Sequence, residues 1–230
     1  MLRFPKGGHM KETITISTIN LKGGAGKTST ILNLGGILHE SGRRPILIDC
    51  DLQQSATRWA TQGGDKFPFP VIPIKIGKNV KQFQEKLEER AKEHKADVIL
   101  FDTPPQLQEE ALLASLLCDI ILIPVSASPL DLWAAEQAIA TVREAREVRK
   151  NGLPNIILIP SRLMPNTVLA REIKGSLKQF NEPISPSITM RVVMVEACIA
   201  GLPINLYAPD SPSHKEFKDL MKFVFTKVKK

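Results

Sequence analysis

Positions 22 to 29 read Lys22-Gly23-Gly24-Ala25-Gly26-Lys27-Thr28-Ser29, three glycines and two lysines closed by two hydroxyl side chains. Glycines let consecutive backbone N–H groups converge on one anion with no Cβ in the way. A helix starting near Lys27 would add its positive end. In that arrangement Gly23, Gly24, Ala25, Gly26 and Ser29 cradle phosphates and Lys27 reaches the β- and γ-phosphates. Thr28 offers its hydroxyl to Mg²⁺. This is the chemistry of a nucleoside triphosphate bound with Mg²⁺ and hydrolysed. The loop departs from the common G-x-x-x-x-G-K-[ST] spacing: five places before Gly26 stands Leu21, and a second lysine, Lys22, precedes the glycines.

Three carboxylates stand at the ends of apolar runs. Asp49 closes the run at 45–49 (PILID) and Asp51 follows it; Asp102 closes the run at 97–102 (DVILFD). A carboxylate at the end of such a strand can face the phosphates. Asp102 reads as an Mg²⁺ holder acting through water, against the plainer role of a turn or cap residue.

These groups need elements to hold them. Residues 13–20 (TITISTIN) predict a strand ahead of the loop, and 28–40 a helix through Ile31, Leu34 and Leu38. Further strands are predicted at 45–49, 97–102, 119–125 and 155–160. A short edge strand near prolines 68, 70 and 73 and another at 184–189 are weaker signals. Helices are predicted at 54–62, 78–95, 106–117, 129–150, 167–180, 192–200 and 211–229, with Gly201 stopping the sixth of these. Continuous apolar strands alternating with helices imply an α/β fold, doubly wound, with a mostly parallel sheet covered on both faces. No linker divides residues 10–230, which read as one domain. Residues 1–9 (MLRFPKGGH) read as a foreign remnant or an extended start and receive no role.

Composition bounds the rest. The chain has 230 residues, 43% hydrophobic and 24% charged, an ordinary globular balance. No apolar run reaches the roughly 18 residues of a membrane span, and no signal peptide is visible. Cys50, Cys118 and Cys198 are far apart among apolar neighbours; they read as buried thiols in a reducing cytosol. A net charge of +7 favours polyanionic partners, or reflects a lysine-rich surface.

Lys22 together with Lys27 resembles the signature of the deviant Walker A ATPases, the ParA/MinD family, and the likeness runs from about residue 13 to the end. Ile48-Asp49-Cys50-Asp51-x-Gln53 resembles the family's D-x-D-P-Q motif. Residues 99–105 (ILFDTPP) look like its Walker B strand and Pro-Pro turn. Residues 121–125 (ILIPV) and 128–131 (SPLD) are similar to the small partition ParA branch, as are Arg191, Glu196-Ala197 and Gly201-Leu202-Pro203. Leu52 stands where the family has proline, and Gln54-Ser55 replaces its Gly-Asn. The resemblance implies a P-loop fold and an ATP sandwich homodimer in which Lys22 crosses to the partner's nucleotide. It implies that Asp51 orients the attacking water while Asp49 supports the same loop, and that Arg162, Tyr207, Pro209 and Asp210 lie near adenine. A surface arginine and a packing tyrosine are the plainer readings of Arg162 and Tyr207.

Two uses of such an ATPase compete. One is partition of a plasmid or chromosome, cytoplasmic and nucleoid-associated. The ATP dimer would hold nonspecific DNA through Arg171, Lys174, Lys215, Lys218, Lys222 and Lys227, with Lys229 and Lys230. A ParB-like or small centromere-binding protein would stimulate its release. The other is MinD-like positioning on a membrane, through the stripe Phe217, Leu220, Met221, Val224 and Val228; that stripe can equally complete the core. The lack of paired cysteines speaks against a metallocluster relative. Lys22 with the Asp49–Asp51 pair favours a switch ATPase over a small-molecule kinase.

Overall fold

The computed structural model describes residues 13–76, 80–105 and 108–227. The expectations for residues 1–9, 78–79, 106–107 and 228–230 lie outside these. Six strands form one sheet, β1 (Ile14–Thr18), β2 (Pro45–Asp49), β3 (Val71–Pro73), β4 (Val98–Asp102), β5 (Ile120–Val125) and β6 (Asn155–Pro160), in the order β3-β2-β4-β1-β5-β6. Every pairing is parallel.

The strand sequences explain why both faces are covered. Side chains alternate across a strand, so a continuous apolar run supplies two cores. In β4, Val98 and Leu100 join one buried cluster and Ile99 and Phe101 the other. The first face is closed by α1 (Lys27–Glu40), α2 (Ser55–Gly63), α7 (Val192–Ile199), α8 (Ile204–Tyr207) and α9 (Pro212–Thr226). The second is closed by α3 (Val80–Glu93), α4 (Gln108–Leu117), α5 (Pro129–Arg149) and α6 (Val168–Leu177). Phe217, Leu220 and Val224 of α9 are fully buried. The described part of the stripe that could have met a membrane is spent mostly on the core.

Three expectations need correction. Residues 184–189 make only two isolated bridges, Leu158 to Ile184 and Leu163 to Thr189. Pro183 and Pro186 have no N–H to give, and a ladder cannot run through them. The helix expected over 167–180 ends at Leu177 and tightens into a 3₁₀ turn at Lys178–Phe180. Cys50 and Cys118 are buried, but Cys198 is exposed. In α7 the buried residue is Ala197, which leaves the neighbouring Cys198 turned outward.

Gly201 does more than stop a helix. It closes α7 as a left-handed residue (φ +70), with Gly201 N–H donating to Cys198 O and Leu202 N–H to Ala197 O. It also touches α2: a Cβ on Gly201 would sit 2.1 Å from Gly63 N, and one on Gly63 2.2 Å from Gly201 O. Gly201→Ala is therefore expected to cost about 3 kcal/mol, combining left-handed strain with a backbone clash. Urea unfolding of the variant measures this; a loss under about 1 kcal/mol would mean the α2–α7 joint gives way easily.

Candidate functional site: a phosphate loop between three strand ends

The register places the chemistry. Thr18, Asp49 and Asp102 are paired neighbours at the carboxyl ends of β1, β2 and β4. Ligands of open parallel sheets bind at that edge. The loop leaves β1 there and turns into α1 through Gly26, whose φ of +90 only glycine adopts cheaply.

The loop is braced by its own polar groups. Asn20 accepts from Lys22 N–H on Oδ1 (2.8 Å), and its Nδ2 donates to Pro124 O (2.8 Å). The Lys27 ammonium donates to Asn20 O (2.9 Å) and Lys22 O (3.3 Å). Burial pushes the Lys27 pKa down, and the Asp102 and Asp51 carboxylates oppose that. The ammonium thus sits under the loop on backbone carbonyls. Ser29 Oγ donates to Gly26 O (3.1 Å) and fixes the first turn of α1.

Asp102 is buried, and Thr28 Oγ1 donates to its Oδ2 at 2.7 Å. Its other oxygen, Oδ1, is buried with no hydrogen-bond partner. Burial pushes its pKa up to about 7; the Thr28 bond and Lys27 oppose the rise, while Asp49 and Asp51 add to it. A hydroxyl and a carboxylate with one unsatisfied oxygen form a donor set that fits a hard, oxygen-seeking divalent ion.

The other two carboxylates divide their work. Asp49 Oδ2 accepts from both Thr57 N–H and Thr57 Oγ1 at 2.8 Å, and Oδ1 from Asp51 N–H at 3.2 Å. It caps the first turn of α2 and holds the loop that carries Asp51. Asp51 lies beyond the strand, and its Oδ1 accepts from Gln53 N–H at 2.9 Å. Gln54 follows in the left-handed region (φ 52).

Lys22 is not loose. Its ammonium lies 3.0 Å from Asp131 Oδ2; the Asp131 side chain is 7% exposed and that of Lys22 39%. Ser128 caps α5 by accepting from Asp131 N–H, and its own hydroxyl donates to the same carboxylate. The sequence signal for Asp131 was its place in Ser128-Pro129-Leu130-Asp131, which is similar to the small partition ParA branch; nothing local tied it to Lys22. Asn20 stood at the head of the motif Asn20-x-Lys22-Gly-Gly that resembles the family, with no role of its own, and Thr57 carried no separable signal.

Of the residues expected near adenine, the structure brings only Arg162 to the loop, where its guanidinium donates to Gly24 O. Ile204 N–H is bonded to Asn33 Oδ1 in the second turn of α1, and the chain then follows α1 away from the loop. Asp210 N–H donates to His214 Nδ1, and His214 Nε2 lies 2.8 Å from Glu40 at the far end of α1. That end is about 20 Å along the helix from Lys27. Asp210 is therefore placed away from the phosphate loop, and Tyr207 and Pro209 lie on the path to Asp210. Asp210 serves the junction of α1 and α9.

Residues 16–204 match the CobQ/CobB/MinD/ParA nucleotide-binding domain. This chain belongs to the ParA/MinD family of ATPases. It is 30% identical over 196 residues to the maintenance of carboxysome distribution protein A of Halothiobacillus neapolitanus, covering 84% of this chain and 87% of that one. It is 26% identical over 238 residues to the chromosome-partitioning ATPase Soj of Thermus thermophilus, covering 93% and 96%. An ATP complex of a McdA variant from Cyanothece has the same fold, with a TM-score of 0.74 over 96% of this chain and 99% of that one at 18% identity. As in other ParA/MinD proteins, the nucleotide is the ligand to expect at the loop.

Two surface features complete the site. Exposed large apolar side chains gather around the nucleotide end of the sheet: Leu52 after β2, Leu130 and Trp133 at the start of α5, and Met164 after β6. Met190 N–H bonds to Leu163 O, which brings Met190 and Val192 to the same edge. The basic residues are more dispersed. Arg171, Lys174 and Lys215 are exposed. Lys218 pairs with Glu40 at 3.0 Å and Lys222 with Asp219 at 3.8 Å, and Lys227 lies over the Phe223 ring. No helix of the described residues is long and apolar enough to cross a membrane.

Proposed function

We propose that this protein is an Mg²⁺-dependent ATPase that closes as an ATP sandwich homodimer. In that state it binds nonspecific DNA, and a ParB-like or small centromere-binding partner releases it by stimulating hydrolysis. The observation that carries the reading is the apolar rim, Leu52 (71% exposed), Trp133 (61%) and Val192 (73%) among it, around a loop fronted by Lys22. Apolar residues concentrated around one charged site mark a surface that another protein covers. A second copy presenting the same face would bring its own Lys22 to the phosphates.

In the closed site the glycine loop and Lys27 hold the phosphates. Thr28 and Asp102 hold Mg²⁺, which would neutralise charge developing on the transferred phosphoryl group. Asp51 orients the water. The relatives' names, carboxysome distribution and chromosome partitioning, have in common the placing of a large cargo. A plasmid or chromosome is the cargo favoured by the basic surface, whose Arg171, Lys174 and Lys215 are free enough to meet phosphates. The membrane reading is weakened by the burial of the α9 stripe.

Binding to duplex DNA is the deciding experiment. It is expected with ATP, weakly with ADP, and to fade as salt rises. Equal binding in both nucleotide states would sink the DNA reading, and sedimentation with anionic liposomes would revive the membrane one. Lys22→Ala is expected to keep ATP affinity within about 3-fold and drop partner-stimulated turnover to the basal rate. Normal stimulation in that variant would remove the claim that Lys22 serves a second site.

A further inference from the structure

Arg162 occupies an unusual position. It stands two residues past the end of β6, exposed and in the left-handed region (φ 53), and its side chain runs back over the glycine loop from a distant part of the chain. The guanidinium donates to Gly24 O. A Cβ on Gly26 would meet Ser161 Oγ at 3.4 Å and Arg162 Cδ at 3.6 Å; one on Gly24 would meet Arg162 Nη1 at 3.7 Å. Ser161 is itself buried and anchored, its N–H donating to Val125 O at 2.8 Å. Ser161 and Arg162 thus form a wall along one side of the loop crest, built on β6 rather than on the loop.

The peptide plane gives that wall a consequence. In a trans peptide the carbonyl and the following N–H point in opposite directions. Holding Gly24 O toward Arg162 turns the N–H of Ala25 to the opposite side of the loop. Without the wall, Gly24 would leave that plane freer to rotate, and an N–H that must first be oriented binds an anion less well.

We infer that Arg162 is a positioning residue for the phosphate loop: it binds the Gly24 carbonyl and so aims the Ala25 N–H at the nucleotide's phosphates. The inference rests on the phosphate-binding reading of the loop. It differs from the expected adenine contact in one measurable respect, since a loop-positioning residue acts on every ligand that carries the phosphates, whatever its base.

Competition binding with labelled ATP tests this, with ATP, GTP and inorganic tripolyphosphate as competitors and Mg²⁺ present. Arg162→Ala is expected to weaken all three by a similar factor, about 10-fold, with the ATP-to-GTP preference unchanged. Arg162→Lys, which can still donate to a carbonyl, is expected to recover part of the loss. The thermal midpoint of the nucleotide-free variants should stay near that of the wild type. A loss confined to ATP, or no loss at all, would overturn the inference while leaving the loop's role intact. A wild-type protein that binds neither ATP nor tripolyphosphate would overturn the phosphate-loop reading itself. If Arg162→Ala does not fold, Arg162→Lys carries the same test, with uniform weakening expected and base-selective weakening against it.

Discussion

Asp51→Asn is expected to cut ATP turnover by at least about 100-fold while ATP affinity stays within about 3-fold of the wild type. The reason lies in where Asp51 stands. It makes no hydrogen bond to the phosphate loop; its carboxylate Oδ1 receives Gln53 N–H at 2.9 Å, on a turn held by Asp49. Asparagine keeps an oxygen for that bond and so keeps the turn, but it removes the charge that would orient and polarise water. Phosphate release and equilibrium nucleotide binding, measured on one preparation, separate the two effects. Turnover within about 3-fold of normal would move the catalytic role off this residue. If the proposed cycle is right, the variant should also remain on DNA once loaded with ATP, because release would need the missing step.

The second large effect concerns Asp102 and pH. Its pKa is raised from the ordinary 3.8 to about 7, chiefly by burial. The folded protein therefore keeps a proton that the unfolded chain gives up above about pH 4. In magnesium-free protein the penalty is absent below that pH, grows as pH rises, and levels off above about pH 7. A rise of this size amounts to roughly 4 kcal/mol at the plateau. Asp102→Asn, which cannot ionise, should match the wild type in stability near pH 4 and exceed it by up to roughly 4 kcal/mol at pH 8. Urea unfolding across that range gives the difference; parallel curves would mean that Asp102 is charged at no cost. The same variant should lose Mg²⁺-dependent turnover. Calorimetry near pH 7 in two buffers should show a proton released when Mg²⁺ and nucleotide bind the wild type.

Much of this was legible because the relevant signals are local. Residues 97–102 could hardly be anything but a buried strand, and the glycine run between a strand and a helix fixed both loop and helix start. The strand carboxylates followed from the same pattern. What sequence could not supply was contact across long separations. Lys22 and Asp131 meet over 109 positions, and Arg162 meets Gly24 over 138. The four-residue α8 is too short to leave a period, and the exposure of Cys198 is hidden among apolar neighbours, of which Ala197 is buried while Val195 and Ile199 face outward. The distance of Asp210 from the loop was hidden for a related reason. A motif gives order along the chain, but the direction of α1 decides which end of it the segment from 204 to 214 reaches.

The joint between α2 and α7 bears on how the catalytic loop can move. At one end of α2, Asp49 grips Thr57 through two hydrogen bonds; at the other, Gly63 abuts Gly201. Between them Trp59 Nε1 donates to Leu202 O at 3.2 Å. Nine residues of helix make a strut about 13 Å long, pinned at both tips. A strut pinned this way does not absorb displacement; it passes it on. Whatever presses on the outward face of α7 is thus geared, through one short rod, to the turn that carries Asp51.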